Sequence, residues 1–228
     1  MQRSSPGKDL CASNFNLQDL LMKGLTALGL SLPEERVRAL LDYLELLQKW
    51  GAVYNLTAIK TPEEMLVQHI LDCLSSVIPM QAKVNSRARV LDVGAGAGLP
   101  SVVLAIACPT LQVVAMDAVA KKTAFVQQVS LQLGISNLKA QHGRIEEIKT
   151  GDFDLIVSRA FSSLVDFVRG SAGAMSPDGL WMSMKGRIPT DEMQVVQDFV
   201  QAISAEELVV PGLDAQRCLI WMWPKCFT

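Results

Sequence analysis

The sequence predicts an α/β fold: a mostly parallel seven-stranded sheet with helices on both faces, preceded by an N-terminal helical extension. Three observations carry that prediction. From Arg87 onward, short apolar runs alternate with helix-length amphipathic stretches. The first run, Val90-Leu91-Asp92-Val93, leads into the glycine-rich Gly94-Ala95-Gly96-Ala97-Gly98, followed by a helix-forming stretch from Leu99 to Ala107. A second run, Val113-Val114-Ala115-Met116, ends in Asp117. Strand, glycine turn, helix, strand and acid in this order describe a nucleotide-shaped pocket at the carboxyl ends of parallel strands.

The alternation places strands at 88–93, 111–116, 137–142, 153–158, 179–185, 206–211 and 217–223. Helices are expected at 98–107, 120–133, 162–175 and 190–203. Only Gly212-Leu213-Asp214-Ala215 separates the last two strands, so they are expected to form an antiparallel hairpin. Before Arg87 the pattern is helical. Leu17, Leu20, Leu21, Leu25 and Leu28 recur at three- and four-residue spacing up to Gly29. Val37, Leu40, Leu41, Leu44, Leu47 and Trp50 form a second stripe, beginning after Pro33 and reaching Gly51. Thr61-Pro62-Glu63-Glu64 is a capping box with proline at the first helical position, opening a helix through Leu74. The expected organisation is a loose tail at 1–14, a helical region at 15–84 and a cofactor-binding domain at 85–228.

Composition limits the function classes. Half of the 228 residues are hydrophobic and 19% are charged, as in a globular chain. The most apolar stretch is broken by Pro100, Pro109 and Gln112, so no membrane span is expected. The first residues lack a secretory apolar segment. Five cysteines without a C-x-x-C pair point to reduced thiols in the cytoplasm, and two widely separated histidines give no metal centre. A net charge of −2 means that any RNA contact must rest on a local basic face.

The glycine spacing discriminates between cofactors. A dinucleotide fingerprint requires glycine at the position of Leu99, where the helix N-terminus meets pyrophosphate. Asp92, before the loop, would repel a pyrophosphate but attract a cation. S-adenosylmethionine carries an ammonium and a sulfonium and has no phosphate, and Asp117 can accept both of its ribose hydroxyls. Gly94, Gly96 and Gly98 are therefore expected at the cofactor. In this fold type the loop after the third strand lies beside the adenine, where Ile145 and Glu146 would hold the ring; the alternative is a solvated acidic helix start. The expected cofactor is S-adenosylmethionine.

The fourth strand ends in Ser158-Arg159-Ala160-Phe161 and lacks the Asn/Asp-Pro-Pro-Tyr signature of enzymes that methylate exocyclic amines. A ring nitrogen such as guanine N7 exposes a lone pair and needs positioning more than a general base. Arg159 is expected at the acceptor or the cofactor, at little cost in stability if replaced; the alternative is an ion pair with Asp154 or Asp166. Lys185, ending the fifth strand, is expected to point to the same mouth, and its alternative is an exposed lysine lying along the surface. Arg159 and Lys185 are the candidate catalytic residues.

Several segments together resemble one family: Trp50-Gly51-Ala52-Val53-Tyr54-Asn55-Leu56-Thr57, Gln68-His69-Ile70-Leu71-Asp72, Leu91 through Pro100, and Ser158-Arg159-Ala160-Phe161 with Lys185-Gly186. They are similar to the bacterial small-subunit ribosomal RNA guanine-N7 methyltransferases, also called glucose-inhibited division protein B. The resemblance implies a class I methyltransferase fold and methyl transfer to a guanine in the decoding-region loop of 16S RNA. It implies a cytoplasmic protein acting as a monomer on 16S RNA or the small-subunit particle, without membrane or metal. It implies cofactor contacts at Gly94, Leu99, Ile145, Glu146 and Arg159. Asn55, Thr57, His69 and Asp72 match family motifs without an assigned role. Ser101, Gln68 and Cys73 depart from the family pattern, and the basic stretch after Asp117 is reduced to Lys121-Lys122-Thr123-Ala124. The residues alone also allow a class I enzyme acting on a small molecule or protein, or a non-catalytic nucleotide-binding module.

Overall fold

The computed structural model describes the backbone of residues 7–54, 56–159, 161 and 163–225, and their side chains from residue 16 onward apart from 52–54. Asn55 and Ala160, singled out above, lie outside the described residues. One seven-stranded sheet runs in the order β3-β2-β1-β4-β5-β7-β6. The strands are β1 (Arg89–Val93), β2 (Gln112–Asp117), β3 (Leu138–His142), β4 (Phe153–Ser158), β5 (Met175–Lys185), β6 (Val200–Leu208) and β7 (Arg217–Pro224). Strands β1 to β5 are parallel, and β7 pairs antiparallel with both β5 and β6. The order reverses between β1 and β4, which opens a crevice at their carboxyl ends.

The helical region is built from α1 (Gly7–Ala27), α2 (Glu34–Tyr54), then α3 (Pro62–Met65), a π-helical turn (Leu66–Leu71) and α4 (Asp72–Leu74) in one continuous rod, and α5 (Val77–Gln81). Thr61 caps this rod as its sequence predicts, its hydroxyl accepting the Glu64 N–H at 3.3 Å. Helix α1 crosses the rod closely. A Cβ on Gly24 would lie 2.5 Å from Cδ2 of Leu71, so any larger residue there would force the buried Leu71 side chain to shift. The helices share one hydrophobic cluster with a sheet face, from Leu21, Leu40 and Leu47 to Val90, Val113 and Leu155. Helices α6 (Ser101–Ala107) and α7 (Ala120–Gln132) complete that layer, with Trp50 of α2 packed on Phe125 of α7 at 5.6 Å between ring centroids. The other face carries a second cluster, where Leu91, Ile156 and Trp181 meet Phe167 of α8 (Leu164–Ser171) and Val196 of α9 (Thr190–Val196). Burial on both faces explains why β1 reads as a nearly unbroken apolar run.

Three boundaries differ from expectation. Helix α1 begins at Gly7, inside the segment expected to be a loose tail. Helix α8 ends at Ser171, and β5 already starts at Met175. Helix α9 ends at Val196, so most of the helix expected at 190–203 gives way to β6, which starts at Val200. The cause is tertiary. β6 is an edge strand whose exposed face carries polar side chains, so it lacks a strand's apolar alternation, and its pairing with β7 overrides local helical spacing. Among the described residues no helix is long and apolar enough to cross a membrane.

Candidate active site

The glycine loop leaves β1 and is tied to β2 by the Gly94 and Ala95 N–H groups, which both donate to the Met116 carbonyl at 2.9 Å. Gly98 has φ +91°, and a Cβ there would meet Cγ2 of Val102 at 2.3 Å, so conformation and space both require glycine. Asp117, nearly buried at 7% exposure, accepts the Gly96 N–H at 2.9 Å and the Val119 N–H at 2.8 Å. Lys122 stands 3.7 Å from the same carboxylate. Ser158 at the β4 tip donates to the Val93 carbonyl at 2.8 Å, joining the two strands that flank the crevice.

Asp92 lies beneath the loop instead of on the cleft wall. It is fully buried, one oxygen accepts the Ser101 N–H at the start of α6 at 3.0 Å, and the other has no hydrogen-bond partner. The Ser101 hydroxyl beside it is also unpartnered. Burial pushes the Asp92 carboxyl up to about 6, against the hydrogen bond from the Ser101 N–H and the Arg159 charge, which favour ionisation. Leu99 is nearly buried and packs in the core at the loop's end. Ile145, at the start of the 3-10 turn Ile145–Glu147, packs in the cluster that contains Val93 and Met116. Glu146 is exposed, its Oε1 next to Gly170 of α8.

These residues fit S-adenosylmethionine. Asp117 presents a carboxylate with spare acceptor capacity beside the loop, and the buried Asp92, one oxygen unpartnered, puts negative charge beneath it, which suits a cationic ligand with a ribose diol. Each Asp117 oxygen accepts one backbone N–H and retains acceptor capacity.

Sequence reasoning missed the brace behind this loop. Tyr43 of α2, completely buried, donates its hydroxyl to the Ala97 carbonyl at 2.8 Å, so the helical region holds the glycine loop directly. No local pattern marks it, because the partners lie far apart in sequence. Tyr43→Phe leaves that carbonyl without its donor and is expected to cost about 1–2 kcal/mol in urea denaturation. A loss below about 0.3 kcal/mol would show that the bond contributes nothing net.

Arg159 and Lys185 belong to a second, basic cavity beside the cleft. The ion-pair partner of Arg159 is neither Asp154 nor Asp166 but Asp72, at 3.2 Å. Asp72, 4% exposed, also accepts Nε of Arg217 at 2.9 Å, so one carboxylate joins the rod to the tips of β4 and β7. Arg159 Nη1 donates to the Gln68 carbonyl at 3.1 Å, and its Nη2 lies 3.3 Å from Nδ1 of His69. The His69 Nδ1 also lies 3.1 Å from the Gln68 carbonyl, and its Nε2 lies 2.7 Å from the Thr57 hydroxyl, so both ring nitrogens are engaged. Burial first, then Arg159, lowers the His69 pKa to about 4, so the ring is neutral at pH 7. Burial raises the Asp72 carboxyl, opposed by its two arginines. The Lys185 ammonium pairs with Glu192 at 3.1 Å. Thr57, His69 and Asp72 thus brace Arg159, and a π-helical turn carries two of the anchors, Gln68 and His69. Arg217 was not foreseen, since only the β6–β7 pairing brings it to this edge.

Asp92 and His69 give opposed pH dependences. The folded Asp92 pKa, about 6, exceeds its ordinary 3.8, so its contribution grows as pH falls from 6 toward 4. The folded His69 pKa, about 4, lies below its ordinary 6.5, so its contribution is present above pH 6.5 and lost as pH falls to 4. Asp92→Asn removes the compensating half. Its stability is expected to fall more steeply than that of the unsubstituted protein between pH 6 and 4. Urea melts at each pH check this, and parallel curves would contradict it.

The family model for rRNA small subunit methyltransferase G matches residues 36–220. A Ribosomal RNA small subunit methyltransferase G of Acidovorax ebreus (strain TPSY) is 47% identical over 93% of this chain and 97% of its own length. Its namesake in Polaromonas naphthalenivorans (strain CJ2) is 46% identical over 94% of this chain and 99% of its own. Among solved structures, a SAM dependent methyltransferase from Aquifex aeolicus aligns with TM-score 0.52 and 16% identity, covering 70% of this chain and 92% of that one. A tRNA (m1A58) methyltransferase from Aquifex aeolicus aligns with TM-score 0.53 and 12% identity, covering 67% and 69%. At such identities the structures show the fold alone, that of class I methyltransferases, while the sequence matches go further: the chain belongs to the rRNA small subunit methyltransferase G family.

Proposed function

We propose that this protein transfers the methyl group of S-adenosylmethionine to N7 of a guanine in the decoding-region loop of 16S ribosomal RNA. Family membership supports the S-adenosylmethionine-dependent rRNA methyltransferase activity. One observation of the site supports the ring nitrogen: the acidic cofactor cleft and the basic cavity meet at the β4 tip, and among the described residues no free general base stands there. His69 is neutral and bonded on both ring nitrogens, and Asp72 is held by two arginines. N7 carries its own lone pair and loses no proton on methylation, so this site needs only to orient the base and exclude water.

When bound, the cofactor supplies an electrophilic methyl on a sulfonium. Asp117 would hold its ribose, Ile145 and Glu146 its adenine, and the Gly94–Gly98 backbone its amino-acid end. Arg159, locked by Asp72, Gln68 and His69, fixes the boundary between cofactor and acceptor. Lys185, paired with Glu192, lines the acceptor side. The reading extends to a cytoplasmic protein acting as a single chain without a metal, since attack by a lone pair requires no metal-activated water.

The test is incubation of the purified protein and labelled cofactor with 16S RNA, naked and in small-subunit particles, from a strain lacking this modification. N7-methylguanine at one position is the expected result. Cofactor binding with no label in either RNA would overturn the reading.

A further inference from the structure

We propose that Ser101 is a positioning residue for the cofactor: its hydroxyl serves the free oxygen of Asp92 and keeps that carboxylate charged beneath the glycine loop, so that a cationic ligand is held over a wider pH range. The proposal rests on the S-adenosylmethionine reading above and deepens it by assigning a residue that lies behind the loop.

Asp92 and Ser101 are both fully buried. They are already joined once, the Ser101 N–H donating to one Asp92 oxygen at 3.0 Å. Among the described residues, the buried side-chain polar atoms without a hydrogen-bond partner are the other Asp92 oxygen and the Ser101 hydroxyl. Such buried orphans are costly, and native folds keep few of them. Here both sit on one bonded pair of residues, and they are complementary. A carboxylate oxygen accepts, and a hydroxyl can donate. A serine side chain has a single heavy-atom torsion and a freely turning hydrogen, so little must move to join them. An ionised Asp92 would take a charge-assisted bond from the hydroxyl, stronger than the neutral bond that a protonated Asp92 could make to it. The pair therefore favours the charged form.

The other groups around Asp92 leave it as the one that responds to mild acid. Arg159 at the β4 tip favours its charge, and Asp117 of β2 opposes it. Tyr43 of α2 and Cys73 of the rod also face it, and burial holds both of them neutral. Burial pushes the Asp92 carboxyl up to about 6, and the Ser101 side chain is the strongest of the groups acting against that push. A proton on Asp92 must leave before a cation can gain from its charge, so cofactor affinity falls as pH drops through that value. Without the hydroxyl the fall begins at a higher pH.

The experiment is calorimetry with S-adenosylmethionine and its demethylated product from about pH 7 down to about pH 5, where an α-ammonium stays charged. It compares the unsubstituted protein with Ser101→Ala, Asp92→Asn and the double variant. In the unsubstituted protein Kd is expected to rise as pH falls through about 6. In Ser101→Ala the rise should begin about one pH unit higher, the effect of one hydrogen bond to a charged group. Its Kd should then exceed the unsubstituted value about twofold at pH 7 and about fivefold at pH 6. Asp92→Asn and the double variant should show no such rise. Urea melts without ligand give a second reading, since the stability that Asp92 adds on acidification should also set in about one pH unit higher in Ser101→Ala. An onset at the same pH with and without the hydroxyl would overturn the role of Ser101. So would a rise retained in Asp92→Asn, or a Kd raised by one factor at every pH, as lost packing gives. In each of these cases cofactor binding by the unsubstituted protein still stands. No heat from either ligand with the unsubstituted protein would remove the S-adenosylmethionine reading and this inference together.

Discussion

Asp72→Ala is expected to lower stability at pH 7 by about 3 kcal/mol, the lower end of the 3–5 kcal/mol typical of breaking a buried ion pair from one side. The carboxylate is 4% exposed and shared by Arg159 and Arg217, whose side chains are 24% and 23% exposed. Removing it leaves two guanidiniums facing each other across a space that their one anion held together. Their partial exposure lets water take over some of that loss, which is why the lower end applies. In a chain of this size the melting temperature should fall by roughly 6–12 °C. Asp72→Asn retains the shape and an acceptor while losing the charge, so its loss should be smaller. Urea denaturation measures both, and a loss under about 1 kcal/mol for the alanine variant would mean that the arginines are not anchored there. The same geometry revises the expectation for Arg159, whose replacement now carries a stability cost as well as a loss of binding or turnover.

How much of this was legible in the sequence depended on the range over which each feature is determined. The glycine loop was legible because a left-handed backbone at Gly98 and the close approach of Val102 are local demands that only one residue type meets. The β1–β2 half of the site was legible for the same reason, since Asp117 follows its strand directly. Edge strand β6 was not: its partner β7 lies across a hairpin, and its exposed face keeps the polar residues that helical spacing also tolerates. Nor was the Asp72 hub. Asp72 and Arg159 could be singled out separately by resemblance, but no residue pattern says that a helix acid and a strand-tip arginine meet. Arg217 and Tyr43 carried no local signal, because each acts on a group brought to it only by the finished fold.

Asp117→Ala is expected to weaken S-adenosylmethionine binding by about 1.5–3 kcal/mol, the range for hydrogen bonds to a charged group. That corresponds to a rise in Kd of roughly 13- to 150-fold. The structure adds a second route to this loss. The same carboxylate accepts the Gly96 and Val119 N–H groups, so its removal loosens the glycine loop at Gly96, where the Gly94 and Ala95 bonds to Met116 remain, as well as removing the ribose partner. Asp117→Asn separates the two. Its amide oxygen can still accept one backbone N–H, while its NH2 faces a hydroxyl that needs an acceptor, so loop order should largely survive and ribose affinity should not. Calorimetry with the cofactor and with its demethylated product reads the ligand effect, and the melting temperature without ligand reads the loop. A Kd unchanged in both variants would assign Asp117 to the loop alone. A Kd raised in both, with the ligand-free melting temperature shifted mainly in the alanine variant, would place the carboxylate at the ribose. In that case each oxygen serves the loop from one side and the cofactor from the other.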